Sequence, residues 1–163
     1  FLGAASQRTK DIRLGQGIIQ LTTNHNTRVA ERVATLDLIS DGRVEFGMSE
    51  GGSLTEFGPI DRTIEAKREV WEDTVRAMMQ MFADSGFEYD GPHFQFPPRN
   101  VLRKPVQRPH PPLWVACLQL KTIEYAGRRG MVALGFQFIS DDAAHAGVHA
   151  YYKSYTKRMD KLT

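Results

Sequence analysis

Apolar positions along this chain change period repeatedly between about 3.6 and 2, and each change predicts a switch between helix and strand. From Arg28 the order is helical: Val29, Val33 and Leu36 recur at i, i+4 and i+7 beside Ala30 and Ala34, while Arg28, Glu31, Arg32 and Thr35 take the opposite side. Ser40, Asp41 and Gly42 predict the stop, because glycine accepts the left-handed conformation of a helix C-terminus without a Cβ clash. Arg43 to Met48 then alternates Val44, Phe46 and Met48 against Glu45 and Gly47, the pattern of a half-buried strand. Gly51 and Gly52 supply bare backbone for a tight loop after it.

The same reading extends in both directions. Residues 1–9 read as the end of a helix, Lys10 and Asp11 as a turn, and IRLGQGIIQL, residues 12–21, as a strand, with a polar loop over 22–27. A long helix is predicted over 61–83 from Trp71, Val75, Met78, Met79 and Phe82. Over 84–112 the periodicity vanishes and seven of the eight prolines cluster, so this is a long excursion; Phe87, Tyr89, Phe94 and Phe96 alternate within it and predict a short hairpin. LWVAC, residues 113–117, reads as a strand, 120–128 as a helix stopped by Gly130, 132–138 as a strand, and 141–159 as a helix capped by Ser140 or Asp141. Four strand–helix alternations mean an α/β fold with a parallel sheet, either open and doubly wound or closed as a barrel. A closed (β/α) barrel takes about 250 residues, so four units amount to half of one.

Composition narrows the class. With 163 residues the chain suffices for one domain, read as 1–163, and 41% hydrophobic with 25% charged residues excludes disordered and collagen-like classes. A net charge of +2 argues against a nucleic-acid partner held by a large basic field. The lone Cys117 excludes an internal disulfide and a cysteine-rich zinc site, and points to a reducing, cytoplasmic setting. No apolar run reaches the length of a membrane span. His145 and His149 share one helix face but have no third ligand nearby in sequence, so no metal is expected. Glu45 and Glu56 are carboxylates near the strand end whose separation the sequence does not give. A first residue of Phe, opening a helix-like FLGAASQ, leads to the expectation of a fragment.

Three blocks, LGQGIIQLTTNHNTRVAE, LDLISDGRVEFGMSEG and RPHPPLWVAC, closely resemble the luciferase-like flavin-dependent monooxygenases, and the similarity runs in order along nearly the whole chain. The resemblance implies a partial TIM (β/α)8-type barrel holding about the third to sixth strand–helix units with a long insertion loop, and a site at the C-terminal strand ends. It implies reduced FMN, or F420 in some branches, with O2 and a small organic substrate, the reduced flavin coming from a separate flavin reductase. A non-prolyl cis peptide under the flavin ring would fall at Gly17–Ile18. The end of the family's fourth strand matches Met48, Ser49, Glu50 and Gly51, where luciferases carry a cysteine and an arginine. Ser49 and Glu50 stand there instead, so a guanidinium-to-phosphate contact cannot be carried over. Cys117, Leu118, Gln119 and Thr122 match the turn that receives the flavin phosphate, although Leu118 replaces a small or polar residue. The implied cofactor contacts are therefore Gly17, Ile18, Ser49, Glu50, Gly51, Cys117, Gln119 and Thr122, with His25 and Glu50 as catalytic candidates. The alternative is a non-catalytic barrel-family subunit acting as an interaction partner. Two open sheet edges would favour an oligomer.

Overall fold

The computed structural model describes residues 1–52, 66–83, 86–101, 103–136 and 138–156. A short helix α1 (Leu2–Arg8) leads to strand β1 (Leu14–Gln20), and Leu21–Thr23 forms one 3₁₀ turn. The amphipathic helix is α2 (Asn26–Ile39), beginning two residues before Arg28 with His25 at its N-cap. It ends where Asp41 and Gly42 take φ of 56° and 74°, and strand β2 (Val44–Ser49) follows at once. Helix α3 (Lys67–Ala83) falls within the helix predicted over 61–83; residues 61–65 lie outside the described residues. The proline-rich excursion holds a hairpin, β3 (Phe87–Asp90) antiparallel to β4 (Gln95–Arg99). Strand β5 (Leu113–Ala116), helix α4 (Leu120–Arg129), strand β6 (Val132–Leu134) and helix α5 (Asp141–Thr156) complete the order. Gly130 ends α4 at φ 72°, and the Ser140 hydroxyl accepts from the Ala143 N–H to cap α5.

The four long-range strands pair in the order β1-β2-β5-β6, all parallel, with Leu14 opposite Val44, Phe46 opposite Leu113 and Trp114 opposite Val132. Parallel pairing brings all four C-terminal ends to one side, so the turns after β1, β2, β5 and β6 share one rim. Strand pleating sorts the side chains. Val44, Phe46 and Met48 with Leu113, Val115 and Cys117 are buried in the layer facing the helices, where Phe82 meets Phe46 edge-on at 6.3 Å. On the other face the Trp114 indole N–H donates to Glu45 Oε2 at 2.6 Å, and Arg13 Nε donates to Glu45 Oε1 at 2.7 Å. Helix α3 is a major contributor to the core: Trp71, Val75, Met78, Met81 and Phe82 are fully buried. Met48, Met79 and Met131 are buried as well, leaving only Met159, outside the described residues, of the six methionines in the chain.

Two buried carboxylates tie the excursion down. Asp37 on α2 accepts the Gln107 main-chain N–H at 2.9 Å, the Gln107 side-chain amide at 2.7 Å and the Val44 N–H at 3.3 Å. Asp73 on α3 accepts the Tyr89 hydroxyl and, at 3.0 Å, the His93 N–H, which fixes the hairpin to that helix. No helix among the described residues is long and apolar enough to cross a membrane.

Three expectations need correction. The strand expected over 132–138 stops at Leu134, because its neighbour β5 ends at Ala116, leaving the segment from Gly135 on no partner for a ladder. The strand expected over 12–21 is trimmed to Leu14–Gln20, and Leu21 turns into the 3₁₀ segment. Among the described residues the one cis bond is Arg108–Pro109, so Gly17–Ile18 is trans; the β1–β2 register slips between Gln16 and Ile19, and this bulge accommodates the backbone there.

Candidate functional site

The described part of the rim includes the turn after β1 and the first residues after β2. Thr22, in the turn after β1, donates its hydroxyl to the Glu50 carbonyl at 2.8 Å and so binds the first turn to the end of β2. Gly51 there takes φ 79°, a conformation glycine holds without strain, and its N–H reaches the buried Ser49 hydroxyl at 3.4 Å. Lys67, the first residue of α3, donates to the Gly51 carbonyl at 3.4 Å.

Beside it, Arg68 crosses the rim. Its Nη2 donates to Glu50 Oε1 at 2.8 Å and to Thr122 Oγ1 at 2.8 Å, joining the end of β2 to the first turn of α4. The guanidinium lies over the rings of Tyr125 and Trp71, at 5.1 and 5.6 Å to the centroids, so its plane is set by packing as well as by charge. Its Nη1 is buried and has no hydrogen-bond partner. A buried guanidinium N–H without an acceptor is costly, and it marks a place where an outside acceptor is favoured. Next to it α4 begins, where the earliest N–H groups, those ahead of Thr122, have no intrahelical acceptor, while Thr122 and Ile123 donate to the Gln119 carbonyl. An oxyanion placed there would meet a cation, a hydroxyl and a helix N-terminus together.

Arg68 is the residue that sequence reasoning missed. The helix predicted over 61–83 put Lys67 and Arg68 inside it, whereas they stand in the first turn of α3, where cations oppose the macrodipole.

Burial raises the Glu50 carboxyl above the ordinary carboxylate range; it outweighs the opposing pull of Arg68 and Lys67, and Glu72 adds to the rise. The Cys117 thiol, at the end of β5, is pushed up to about 11 by burial, against the lowering influence of Arg68. It is a neutral, buried side chain. Gln119 is exposed and contributes its carbonyl, which accepts the Thr122 and Ile123 N–H groups at 2.9 and 3.2 Å. Leu118 is almost wholly exposed on the same turn, near the apolar Leu120.

Of the residues singled out in the sequence, Glu50 and Thr122 converge on Arg68, and Ser49 and Gly51 adjoin them in the turn after β2. Gly17 and Ile18 lie on β1 at the bulge, Ile18 half exposed. His25 stands apart from the arginine corner: it is exposed at the start of α2, with Phe96 of the hairpin edge-on at 6.3 Å.

Comparison with known proteins bears on the family and the fold. The family model described as luciferase-like monooxygenase matches residues 1–161. An uncharacterized protein, y4wF, of Sinorhizobium fredii is 30% identical over 80% of this chain and 38% of its own length. The oxygenase component of flavin-dependent trigonelline monooxygenase from Acinetobacter baylyi is 28% identical over 80% of this chain and 37% of its length. Among solved structures, monooxygenase RslO1 of Streptomyces bottropensis superposes with a TM-score of 0.88 at 26% identity, over 96% of this chain and 48% of that one. The fold is shared with the oxygenating constituent of 3,6-diketocamphane monooxygenase from Pseudomonas putida in complex with FMN, TM-score 0.86 at 16% identity, over 98% and 48% of the two chains. It is also shared with the coenzyme F420-dependent tetrahydromethanopterin reductase of Methanopyrus kandleri, TM-score 0.79 at 20% identity, over 98% and 50%. The chain thus spans about half the length of these solved structures and less than half that of the curated relatives. With its parallel α/β sheet matching those barrels and the family model covering it almost end to end, the chain belongs to the luciferase-like monooxygenase family.

Proposed function

We propose that the corner formed by Arg68, Thr122 and the start of α4 receives the phosphate of a flavin mononucleotide, and that this chain serves a flavin-dependent monooxygenase acting on a small organic substrate. The observation that carries the reading is the buried Arg68 Nη1 without an acceptor, next to a buried threonine hydroxyl at a helix N-terminus. Bound there, a reduced flavin supplies the electrons with which O2 is activated for transfer to the substrate.

The chain's own residues orient and shield. Arg68 and Thr122 would hold the phosphate end of the cofactor, and Gly17 and Ile18 at the bulge of β1 with Ser49, Glu50 and Gly51 after β2 would supply its further contacts. Cys117 and Gln119 shape the turn through their main chain. Ile18, Leu118 and Leu120, exposed at the rim, give the ring apolar surface from which water is excluded. Glu50, at the arginine corner, and His25, at the start of α2, are the protonatable side chains proposed as catalytic candidates. A relative named as an oxygenase component supports a two-component arrangement, with a separate reductase delivering reduced flavin. The F420-dependent reductase of the same fold keeps a deazaflavin as the second cofactor for this corner.

The test is an anaerobic titration with reduced FMN against reduced riboflavin and F420. A phosphate site requires FMN to bind about 10- to 100-fold tighter than riboflavin, the worth of one charge-assisted hydrogen-bonding cluster. Equal binding of the two would remove the phosphate assignment. A second reading, a non-catalytic barrel subunit, is favoured by the exposed Leu118, which donates nothing to a phosphate; absence of all flavin binding would select it.

A further inference from the structure

The guanidinium of Arg68 already holds an anion, and that anion is part of the chain. The Glu50 carboxylate lies 2.8 Å from the same Nη2 that reaches Thr122. We propose that Glu50 is the protein's own occupant of the Arg68 anion site, so that an outside dianion enters as Glu50 takes up a proton. Anion binding at this corner is then linked to proton uptake. The inference rests on the phosphate reading of the corner.

The charge arrangement requires the linkage. An oxyanion that reaches Nη1 and Thr122 shares one guanidinium with Glu50, and two anions on a single partly buried cation cannot both stay ionised without cost. Among the remaining groups facing Glu50, Lys67 is a second cation that favours its charged form, with a smaller effect than Arg68. From α3, Lys67 is directed to the Gly51 carbonyl and Glu72 adds negative charge. From the end of β5 comes the neutral Cys117 thiol, and from the turn after β1 the Thr22 hydroxyl goes to the Glu50 main-chain carbonyl, not to its carboxylate. Only 13% of the Glu50 side chain is exposed, so its charge depends on Arg68 more than on water. When the outside anion takes Arg68, protonation is the route that leaves Glu50 in place without an uncompensated charge.

Sulfate is the suitable probe, because it stays doubly charged from pH 5 to 8 and any pH dependence comes from the protein. Sulfate would be titrated into the whole chain at several pH values and followed through the Arg68 side-chain N–H resonances. The expected result is affinity that falls by up to tenfold per pH unit across the Glu50 titration, the limit for one proton. Glu50→Gln, close to isosteric, should flatten that slope and bind sulfate at pH 8 at least tenfold tighter than the unaltered chain. Glu50→Asp, which keeps the charge, should keep a slope. Histidine contributions persist in all three proteins, so the difference isolates residue 50. Equal slopes with and without the Glu50 carboxylate, weaker sulfate binding by Glu50→Gln, or no sulfate response at Arg68 would each overturn the proposal. A Glu50-dependent slope with no FMN preference over riboflavin would defeat the cofactor reading and leave this one standing.

Discussion

Gly47 on β2 lies directly against the main chain of Gly17 on β1: a Cβ at position 47 would stand 2.5 Å from the Gln16 carbonyl oxygen and closer still to that of Gly17. Both obstacles are backbone, so no side chain can move aside. Gly47→Ala should therefore lower stability by about 1–3 kcal/mol, the cost of overpacking, and shift the bulge that carries Ile18. Urea unfolding measures it. Gly17→Ala is the control, because a Cβ there meets nothing within 4 Å, and its midpoint should stay within about 0.5 kcal/mol. Equal losses for the two would refute the contact.

Replacing Arg68 by Met keeps the length of the stem over Tyr125 and Trp71 and removes the charge. FMN affinity should fall about 10- to 100-fold while riboflavin affinity stays unchanged. A matched loss for both ligands would mean that Arg68 shapes the pocket and holds no phosphate.

Glu50 also gives the fold a pH signature. Its carboxyl is raised in the folded chain, so between the unfolded and folded values the native state binds more protons than the unfolded state. Stability from this group is fully present below the unfolded value and declines as pH rises through the folded one. Glu50→Gln removes the decline. The variant's stability relative to the unaltered chain should thus be higher at pH 7 than at pH 4, as urea melts at the two pH values would show. A difference that shrinks or reverses toward pH 7 would contradict the burial argument.

Asp37 is fully buried and satisfies three donors at once. Asp37→Ala strands the Val44 and Gln107 N–H groups and should cost about 2–4 kcal/mol. Gln107→Ala leaves the main-chain bond in place and should cost less. Limited proteolysis over residues 103–112 reads the same anchor, and cleavage there should speed up in Asp37→Ala.

A thiol at about 11 is ionised to roughly one part in a thousand at pH 8. Cys117 should react with a disulfide reagent only as the chain opens, with rates that rise in urea along with unfolding. Rapid stoichiometric labelling of the native chain would place the thiol at the surface.

What the sequence made legible was what local chemistry encodes. The stop at Asp41 and Gly42, the cap at Ser140, the alternation of Val44, Phe46 and Met48 and the aromatic hairpin each depend on neighbours within a few residues, and each stands in the structure. The extent of β6 was not legible, because a strand's length is set by its partner: the ladder stops with the Ala116–Leu134 pair. Arg68 was missed for a similar reason. Its meeting with Thr122 spans 54 residues of sequence, and nothing near either residue announces the other. Glu50 was read as a departure from the family's pattern; the structure adds that a cation from another helix stands opposite it.

The layer of methionines behind the sheet bears on durability. Met48, Met78, Met79, Met81 and Met131 put five thioethers in the interior of a protein whose proposed reaction handles activated oxygen. A thioether fills irregular space well, but each one oxidised becomes a polar sulfoxide that cannot remain in that layer. The working lifetime of such a chain is then governed by how seldom the interior opens while oxidant is near, and accumulated sulfoxide would record those openings.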